Sequence, residues 1–260
     1  MTLTETNPPA PIATPDGVEQ HAPGDHEMTL LEHLNELRGR LVTSVMAVVI
    51  GVLVALLPIP GLGSITENVI KLLAEKAPGG TMLAIGPGEA FFTFIQVSLV
   101  IGIAIAMPVI IWQALAFVTP ALYDNERKYL FIAVPGVTIS FAVGVLFCYL
   151  LMLPFAIAFL GGFQPEIFDQ HWTAERYLDF VTTFMFWVGL TFELPIIMYF
   201  LSKLGVVSPA RMASFRKYAF VMAFVIGAII TPTPDPINQT IVSLPIYLLY
   251  ELGVILARFA

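Results

Sequence analysis

The chain has 260 residues, of which 57% are hydrophobic and only 12% are charged, and its formal net charge is −7 at pH 7. This apolar share is well above that of an ordinary soluble domain and excludes a water-soluble globular protein. The apolar residues form long uncharged runs without the alternation of an outer-membrane β-barrel, so we predict an all-α integral membrane protein. A chain of this length suits one membrane domain.

Residues 1–28 are predicted to form a disordered, acidic, proline-rich tail. This stretch contains five acidic residues and five prolines, but no lysine or arginine and almost no bulky apolar side chain. Such a composition buries too little surface to offset the entropy of ordering. The tail also lacks the basic region and apolar core of a cleavable signal peptide. We therefore place the membrane domain at residues 29–260.

The first membrane span is predicted at residues 41–57, after an amphipathic helix. Thr29 and Glu32 form a capping box, and leucines follow at helical spacing on one face. The other face is polar, so we expect this helix to lie along the membrane surface before the span begins. Prolines and glycines after residue 57 end the span, and apolar residues at helical spacing over residues 65–73 predict a short cap helix outside the membrane.

Five further spans complete a predicted bundle of six transmembrane helices. They are placed at residues 91–118, 129–160, 177–204, 218–230 and 241–256. The fifth span, at 13 residues, is only about 20 Å long against a hydrocarbon core of about 30 Å, so we expect local bilayer thinning. Prolines lie inside four of the spans and favour kinks, which predicts a curved wall: Pro108, Pro135, Pro154, Pro195 and Pro245.

Basic residues are divided unevenly between the two sides of this bundle. Nine fall on one side: Arg38, Arg40, Arg127, Lys128, Lys203, Arg211, Arg216, Lys217 and Arg258. Three fall on the other: Lys71, Lys76 and Arg176. By the positive-inside rule the side with nine faces the cytoplasm, and the even number of spans then predicts that both termini are cytoplasmic.

The sequence shows no catalytic or metal-binding motif. A Walker loop, a dinucleotide-binding fingerprint, a nucleophile elbow and a zinc-binding HExxH motif are absent, and the four histidines are scattered. We therefore predict a protein that is not an enzyme, with no cofactor, no metal and no nucleic-acid partner. The single cysteine, Cys148, lies in an apolar run and is interpreted as a small core residue.

Glu193 is the most unusual residue by composition, because it lies within an apolar span. A carboxylate in such a position costs about 2.5 to 3.5 kcal/mol. Two interpretations stay open: a polar site or partner contact in a concavity, and a protonated or hydrogen-bonded glutamate that fixes the kink before Pro195. In the preceding span, Gly136, Ser140 and Gly144 form a stripe of small residues that favours close packing within the bundle.

Two further glutamates, Glu36 and Glu126, lie beside the spans on the predicted cytoplasmic side. From spacing alone, Glu36 pairs with Arg40 at i,i+4, and Glu126 is solvated in a loop. The residues by themselves favour these structural interpretations over a binding role.

The segments around these two glutamates resemble the TatC family, the multi-spanning receptor subunits of the twin-arginine protein translocase. The resemblance extends from about residue 28 to residue 260. Its motifs are HLNELRGR at 33–40, FF at 91–92, FVTPALYDNER at 117–127, FELP at 192–195 and DPINQ at 235–239. The segment TPTPD at 231–235 is one residue longer than the family form, so residue matching is less direct there.

The resemblance implies a receptor, without enzymatic activity, for signal peptides that carry a consecutive arginine pair. With single-span TatA-like and TatB-like subunits it would move folded proteins across the bacterial cytoplasmic (inner) membrane, driven by the proton-motive force. Self-association in a larger receptor complex is also implied. Paired guanidinium groups are bound well by carboxylates and less well replaced by lysine, which agrees with glutamates on the cytoplasmic side.

The resemblance also implies site residues. For signal-peptide binding they are Glu36, Arg38, Phe117, Pro120, Leu122, Tyr123, Glu126 and Arg127. For an intramembrane polar site or partner contact they are Glu193, Thr231, Asp235 and Gln239, and Pro78 belongs to the outer cap. The alternative function is an ion-coupled secondary transporter of small solutes that uses Glu193, and an intramembrane enzyme ranks third. The sequence lacks the internal repeats expected of the first and the paired nucleophile and base expected of the second.

Overall fold

The computed structural model describes residues 30–77, 82–118, 127–162, 166, 172–231 and 236–260. This part of the chain is helical, as predicted. Its elements are α1 (Leu30–Leu56), α2 (Ile65–Ala74), α3 (Glu89–Val118), α4 (Arg127–Phe147), a π-helical turn (Cys148–Met152), α5 (Leu153–Gly161), α6 (Ala174–Thr191), α7 (Leu194–Lys203), α8 (Pro209–Ser214), α9 (Arg216–Ile230) and α10 (Pro236–Ala257). The predicted tail at residues 1–28 and the capping residue Thr29 lie outside the described residues.

Five helical segments are long and apolar enough to cross a membrane: Leu31–Leu56, Glu89–Phe117, Val134–Gly161, Ala174–Lys203 and Gln239–Ala257. They correspond to five of the six predicted spans. The other predicted span corresponds to α9, which has 15 residues. At 1.5 Å per residue α9 is about 22 Å long, shorter than a hydrocarbon core of about 30 Å.

The first helix is continuous from Leu30 to Leu56, so the predicted separate surface helix before the first span is wrong. No proline interrupts this stretch, and extending a formed helix costs little compared with starting a new one. α1 packs closely along α3, where a Cβ atom on Gly51 would overlap the carbonyl oxygen of Gly102. Only 11% of its apolar stretch is buried, against 44% for the stretch that spans α6 and α7. Beyond Arg40, the exposed surface of α1 is mostly apolar and suited to lipid.

The third predicted span contains a π-helical turn between α4 and α5. Pro154 has no backbone N–H, and its ring would clash with a carbonyl of the preceding helical turn. The wider turn accommodates this residue, and the N–H of Leu153 donates to the carbonyl of Cys148, five residues earlier. Cys148 is fully buried beside this turn, consistent with a core residue.

The fourth predicted span is divided into α6 and α7 by a break at Phe192 and Glu193, just before Pro195. The Ser140 hydroxyl of α4 donates to the carbonyl of Phe192 at 2.6 Å. A Cβ atom on Gly144 would lie 2.7 Å from Cγ of Phe192. The stripe of small residues on α4 therefore packs against this break, inside the bundle, as its spacing predicted.

The short helix α2 covers one end of the bundle, which we call the cap end. Its Thr66 hydroxyl donates to the carbonyl of Ala55 at 3.1 Å and lies 3.0 Å from the hydroxyl of Ser98. The Tyr177 hydroxyl of α6 donates to the carbonyl of Leu73 at 2.8 Å. These hydrogen bonds are buried, so they fix α2 to α1, α3 and α6.

The opposite end, which we call the basic end, carries most of the positive charge. Its described basic residues are Arg38, Arg40, Lys203, Arg211, Arg216, Lys217 and Arg258, whereas Lys71, Lys76 and Arg176 lie at the cap end. At the basic end Arg216 of α9 forms an ion pair with Glu251 of α10 at 3.0 Å. Toward the cap end a Cβ atom on Gly227 would overlap the hydroxyl of Ser243, so the same two helices touch closely there.

Candidate functional site

The start of α1 and the last turns of α3 form a polar cluster at the basic end. Arg40 donates through Nε and Nη2 to Oε1 of Glu36, at 2.9 and 2.5 Å. The third nitrogen of the same guanidinium, Nη1, donates to Oε1 of Gln113 at 3.3 Å. The predicted pairing of Glu36 with Arg40 is confirmed, and the structure adds a link from this pair to α3.

Two rings complete this cluster. The imidazole of His33 stacks on the ring of Phe117, with centroids 4.4 Å apart and planes 21° from parallel. The Nδ1 atom of His33 lies 4.0 Å from Oε2 of Glu36. This oxygen is buried and accepts no hydrogen bond from any described residue. Glu36 therefore has one oxygen occupied by Arg40 and the other directed toward the ring pair.

Helical geometry explains how the cluster forms. His33, Glu36 and Arg40 are spaced at i, i+3 and i+7, so they share one face of α1. Gln113 and Phe117 are four residues apart, so they share one face of α3. Sequence reasoning missed His33 and Gln113 as site residues. The available signal was the spacing of His33 from Glu36 and the presence of a polar Gln113 in an apolar span.

The structure describes only part of the predicted signal-binding set. Glu36 and Phe117 lie in the cluster, whereas Arg38 is exposed on a different face of α1. Arg127 begins α4, but its side chain is not described. Four other predicted residues lie outside the described residues, in the segment 119–126: Pro120, Leu122, Tyr123 and Glu126. The same is true of Pro78 in segment 78–81 and Asp235 in segment 232–235.

Glu193 is fully buried at the break between α6 and α7. Neither of its carboxyl oxygens accepts a hydrogen bond from a described residue. The hydrogen-bonded form suggested by the sequence is therefore not observed in this part of the chain. The residue before it, Phe192, is the one that α4 contacts at this break.

Gln239 and Thr231 lie apart from Glu193. Gly253 of α10 packs on Pro195, and Gln239 lies about four helical turns earlier on α10, toward the cap end. There Gln239 donates to the carbonyl of Phe224 at 3.0 Å and borders a groove of about 440 Å³ on α9. The Thr231 hydroxyl donates to the carbonyl of Gly227 at 2.8 Å, where α9 ends. Of the predicted intramembrane residues that the structure describes, Glu193 therefore lies apart from Gln239 and Thr231.

Metal binding has no support among the described residues, where no group of three or more histidine, cysteine or acidic side chains could hold an ion. Similarity to known proteins extends over most of the chain. The family model of the Sec-independent protein translocase protein (TatC) matches residues 32–245. This chain belongs to the TatC family.

Two bacterial TatC relatives match over nearly their full length. The chain is 38% identical to TatC of Aquifex aeolicus (strain VF5) over 239 residues, which is 90% of this chain and 96% of the relative. It is 34% identical to TatC of Carboxydothermus hydrogenoformans over 235 residues, 90% of this chain and 95% of the relative. A crystal structure of the twin arginine translocase receptor TatC matches with a TM-score of 0.74 and 37% identity, covering 88% of this chain and 99% of that one.

Membership of the TatC family identifies the protein as the receptor component of a Sec-independent protein translocase. It takes part in protein translocation through the twin-arginine pathway, as predicted, and it is a membrane protein with several apolar helices. A receptor of this kind implies a complex with other Tat subunits. The alternative function, ion-coupled transport of small solutes through Glu193, is therefore wrong.

Proposed function

We propose that this TatC chain binds twin-arginine signal peptides at its basic end and passes their folded cargo across a bacterial cytoplasmic membrane. The receptor has no enzymatic activity in this proposal. It spans the bilayer six times, with α9 as the fifth and shortest span, and both termini lie in the cytoplasm. Support comes from the basic residues, which are concentrated at one end of the described bundle.

The observation that carries the proposal is the cluster of Glu36, Arg40, His33 and Phe117. It combines a carboxylate that has an oxygen without a partner among the described residues, a planar ring pair and a location at the basic end. A guanidinium group donates in a planar fork and stacks on rings, so these are the groups that recognise arginine. A lysine ammonium has neither property. This difference gives a physical reason for requiring arginine in the signal.

Glu126 is the principal carboxylate for the arginine pair in this proposal, and Glu36 assists it. Arg40 already neutralises much of the charge of Glu36. Glu126 follows Phe117 along the chain and comes just before α4, whose first residues also lie at the basic end. Arg38, Pro120, Leu122, Tyr123 and Arg127 are proposed to complete the surface.

We further propose that single-span TatA-like and TatB-like subunits join this receptor, that receptors self-associate, and that the proton-motive force drives export. Glu193, Thr231, Asp235 and Gln239 are proposed as polar contacts within the membrane. A buried carboxyl group with no partner among the described residues, at a break in a spanning helix, supports such a role for Glu193. Lipid surrounds the apolar faces of α1 and α9.

Peptide affinity tests the binding proposal. The receptor is reconstituted in nanodiscs, and its affinity is measured for a signal with two arginines and for the same signal with two lysines. Glu126→Ala should weaken binding of the arginine signal by about ten- to a hundredfold, because hydrogen bonds to charged groups contribute roughly 1.5 to 3 kcal/mol. Both proteins should bind the lysine signal weakly. Equal affinity of both proteins for the arginine signal would remove Glu126 from the site.

Cysteine labelling tests the orientation. Glu75 is exposed at the cap end and Ser214 is exposed at the basic end. Glu75→Cys and Ser214→Cys are made singly in a Cys148→Ala background and treated on intact cells with a reagent that does not cross the membrane. Glu75→Cys should react and Ser214→Cys should not. The opposite pattern would contradict cytoplasmic termini.

A further inference from the structure

The helix α8, the start of α9 and the end of α10 meet at one part of the basic end, which we call the basic corner (residues 209–217 and 250–258). The Tyr250 hydroxyl of α10 donates to the carbonyl of Met212 in α8 at 2.6 Å. Met212 also belongs to one buried apolar cluster with Ala257 of α10. The polar and apolar contacts together fix α8 against α10, and α9 follows α8 directly in the chain.

The basic corner carries more positive charge than its own acidic residue neutralises. Its basic side chains are Arg211, Arg216, Lys217 and Arg258, and its acidic side chain is Glu251. Arg216 forms an ion pair with Glu251 at 3.0 Å. The other three cations are exposed, and none of them forms an ion pair with a described residue. A group of exposed cations without counter-charges attracts an anionic partner.

The acidic tail, residues 1–28, is attached to the same end of the molecule. Its acidic residues are Glu5, Asp16, Glu19, Asp25 and Glu27, and it contains no lysine or arginine. The tail leads into α1 at Leu30, and the first turns of α1 lie at the basic end. Chain connectivity therefore places the tail on the same side of the membrane as the basic corner, whichever side that is.

The tail is long enough to reach the basic corner. From α1 to α10 the helices pack in the order α1, α3, α4, α7 and α10. Neighbouring helices are about 8 to 10 Å apart, so the path from α1 to α10 is at most about 40 Å. Asp16 and Glu5 lie 14 and 25 residues before Leu30. At about 3.3 Å per extended residue their reach from Leu30 is about 46 and 82 Å.

We propose that the acidic tail docks on the basic corner of its own chain and occupies it in place of anionic lipid headgroups. Opposite charges attract without requiring the tail to fold, which suits a segment with few bulky apolar side chains. A lipid headgroup brings its charge singly, whereas the tail brings several carboxylates on one chain at an effective concentration of about millimolar. The contact goes beyond the proposed receptor function, because it needs neither a signal peptide nor a partner subunit.

Spin-label distances in the whole protein test this contact. Ala13→Cys in the tail and Ser214→Cys in α8 are combined in a Cys148→Ala background, and both cysteines are labelled; Ser214 is exposed. The receptor is measured in nanodiscs of zwitterionic lipid and in nanodiscs that also contain phosphatidylglycerol, which is anionic. A short-distance population is expected in both bilayers at low salt. It should be lost at about 1 M salt, where the Debye length falls to about 3 Å.

Reversal of the tail charges tests which groups of the tail make the contact. The variant Glu5→Lys, Asp16→Lys, Glu19→Lys should lose the short-distance population at low salt. These substitutions lie before α1, outside the helices that form the bundle. Unchanged distances in this variant, or unchanged distances at high salt, would overturn the proposal.

Reversal of the corner charges tests the other partner. The variant Arg211→Glu, Lys217→Glu, Arg258→Glu should also lose the short-distance population, and combining it with the lysine tail should restore that population. Arg176→Glu is the matched control, because Arg176 is an exposed cation at the cap end that forms no ion pair with a described residue. The control should keep the wild-type distances. Melting curves confirm that each variant is folded.

Two further outcomes would also overturn the proposal. Short distances that are present in zwitterionic lipid and vanish when phosphatidylglycerol is added would assign the basic corner to lipid headgroups. An equal loss in Arg176→Glu and in the corner variant would show that the attraction is not specific to the corner. The labels report no signal binding, so failure of this inference leaves the proposed receptor function standing, and the converse is also true.

Discussion

Two glutamates in this protein illustrate opposite ways of keeping a carboxyl group in a membrane helix. Glu36 lies at the basic end, paired with Arg40 one turn away and partly exposed. Glu193 lies at a break between two helices, fully buried, with no hydrogen bond from any described residue. The first is stabilised by its own helix. The second is surrounded by tightly packed groups that offer it no polar contact among the described residues.

The two glutamates differ in whether the fold alone explains their presence. A pair at i,i+4 contributes modestly to helix stability and explains the presence of Glu36 without any ligand. No such explanation applies to Glu193, because a buried polar group without a partner costs free energy. The contacts of the described residues therefore do not account for Glu193 as they do for Glu36. Glu36 has a role beyond this pair only in the proposed binding site, through Oε2, to which Arg40 does not donate.

The largest expected effect is on packing, and it compares two glycines, one beside each glutamate. A Cβ atom on Gly144 would lie 2.7 Å from Phe192 and 2.9 Å from the backbone of Gly189, whereas one on Gly39 would meet nothing within 4 Å. Gly144→Ala should lower stability by about 1 to 3 kcal/mol. Gly39→Ala should raise it by up to about 1 kcal/mol. Thermal melts in detergent measure both, and equal melting temperatures would show that the α6–α7 break is loosely packed.

The next effect is on export. Glu193→Gln should insert and fold as well as the wild type, because it removes no hydrogen bond seen among the described residues. Export of a twin-arginine reporter should fall by roughly tenfold, as expected if one polar contact of about 1.4 kcal/mol is lost in the assembled translocase. Wild-type export by this variant would show that Glu193 has only a structural role, so it would no longer contrast with Glu36 as the functional glutamate.

Glu36→Gln, unlike Glu193→Gln, should lower the stability of the folded protein. It removes the charge of the ion pair with Arg40, but the amide oxygen of glutamine still accepts hydrogen bonds from that guanidinium, and Gln113 still accepts another. The side chains of Glu36 and Arg40 are 23% and 25% exposed. A loss of up to about 1 kcal/mol in unfolding free energy is expected for such a pair. The measurement is the thermal melt of Glu36→Gln beside that of Glu193→Gln. A larger loss for Glu193→Gln than for Glu36→Gln would reverse the assignment of which glutamate the fold needs.

The smallest effect concerns Glu67, which has the same i,i+4 geometry as Glu36 but lies in α2 at the cap end. A hydrogen bond and the charge of Lys71 lower the pKa of Glu67 below its usual 4.5. Its small contribution is therefore present at neutral pH and lost as the pH falls through that lowered pKa. Glu67→Gln should flatten the acid side of the pH–stability curve slightly and leave signal affinity unchanged. A change in signal affinity in Glu67→Gln would mean that an i,i+4 ion pair at the cap end influences binding at the basic end.

Much of the fold could be predicted because long apolar runs have few alternative structures. The sequence also predicted the pairing of Glu36 with Arg40, since both residues lie on one helix. Breaks were harder to predict. Pro108, Pro135 and Pro245 lie within continuous helices, whereas the chain breaks before Pro195 and widens into a π-helical turn before Pro154. A proline removes a hydrogen bond in every case, and packing from neighbouring helices decides how the chain responds.

The candidate site was predicted only in part, because contacts between distant helices leave no local pattern. The stack of His33 on Phe117 depends on the register between α1 and α3, which is set far along both helices by the contact of Gly51 with Gly102. Likewise, the spacing of Gln113 from Phe117 identifies a shared face but not the guanidinium that it meets. Glu193 was noticed by composition, yet composition gave no indication that its carboxyl oxygens accept no hydrogen bond from the described part of the chain.

The Gly51–Gly102 contact also bears on how the protein is made. During synthesis α1 emerges about fifty residues before its partner surface on α3, an interval of roughly 3 to 10 s at typical elongation rates. Throughout that time α1 lacks its packing contact with α3. Its apolar circumference suits this, and the Glu36–Arg40 pair forms within α1 without help from another element. The nascent chain can thus neutralise its own charge before the rest of the receptor exists.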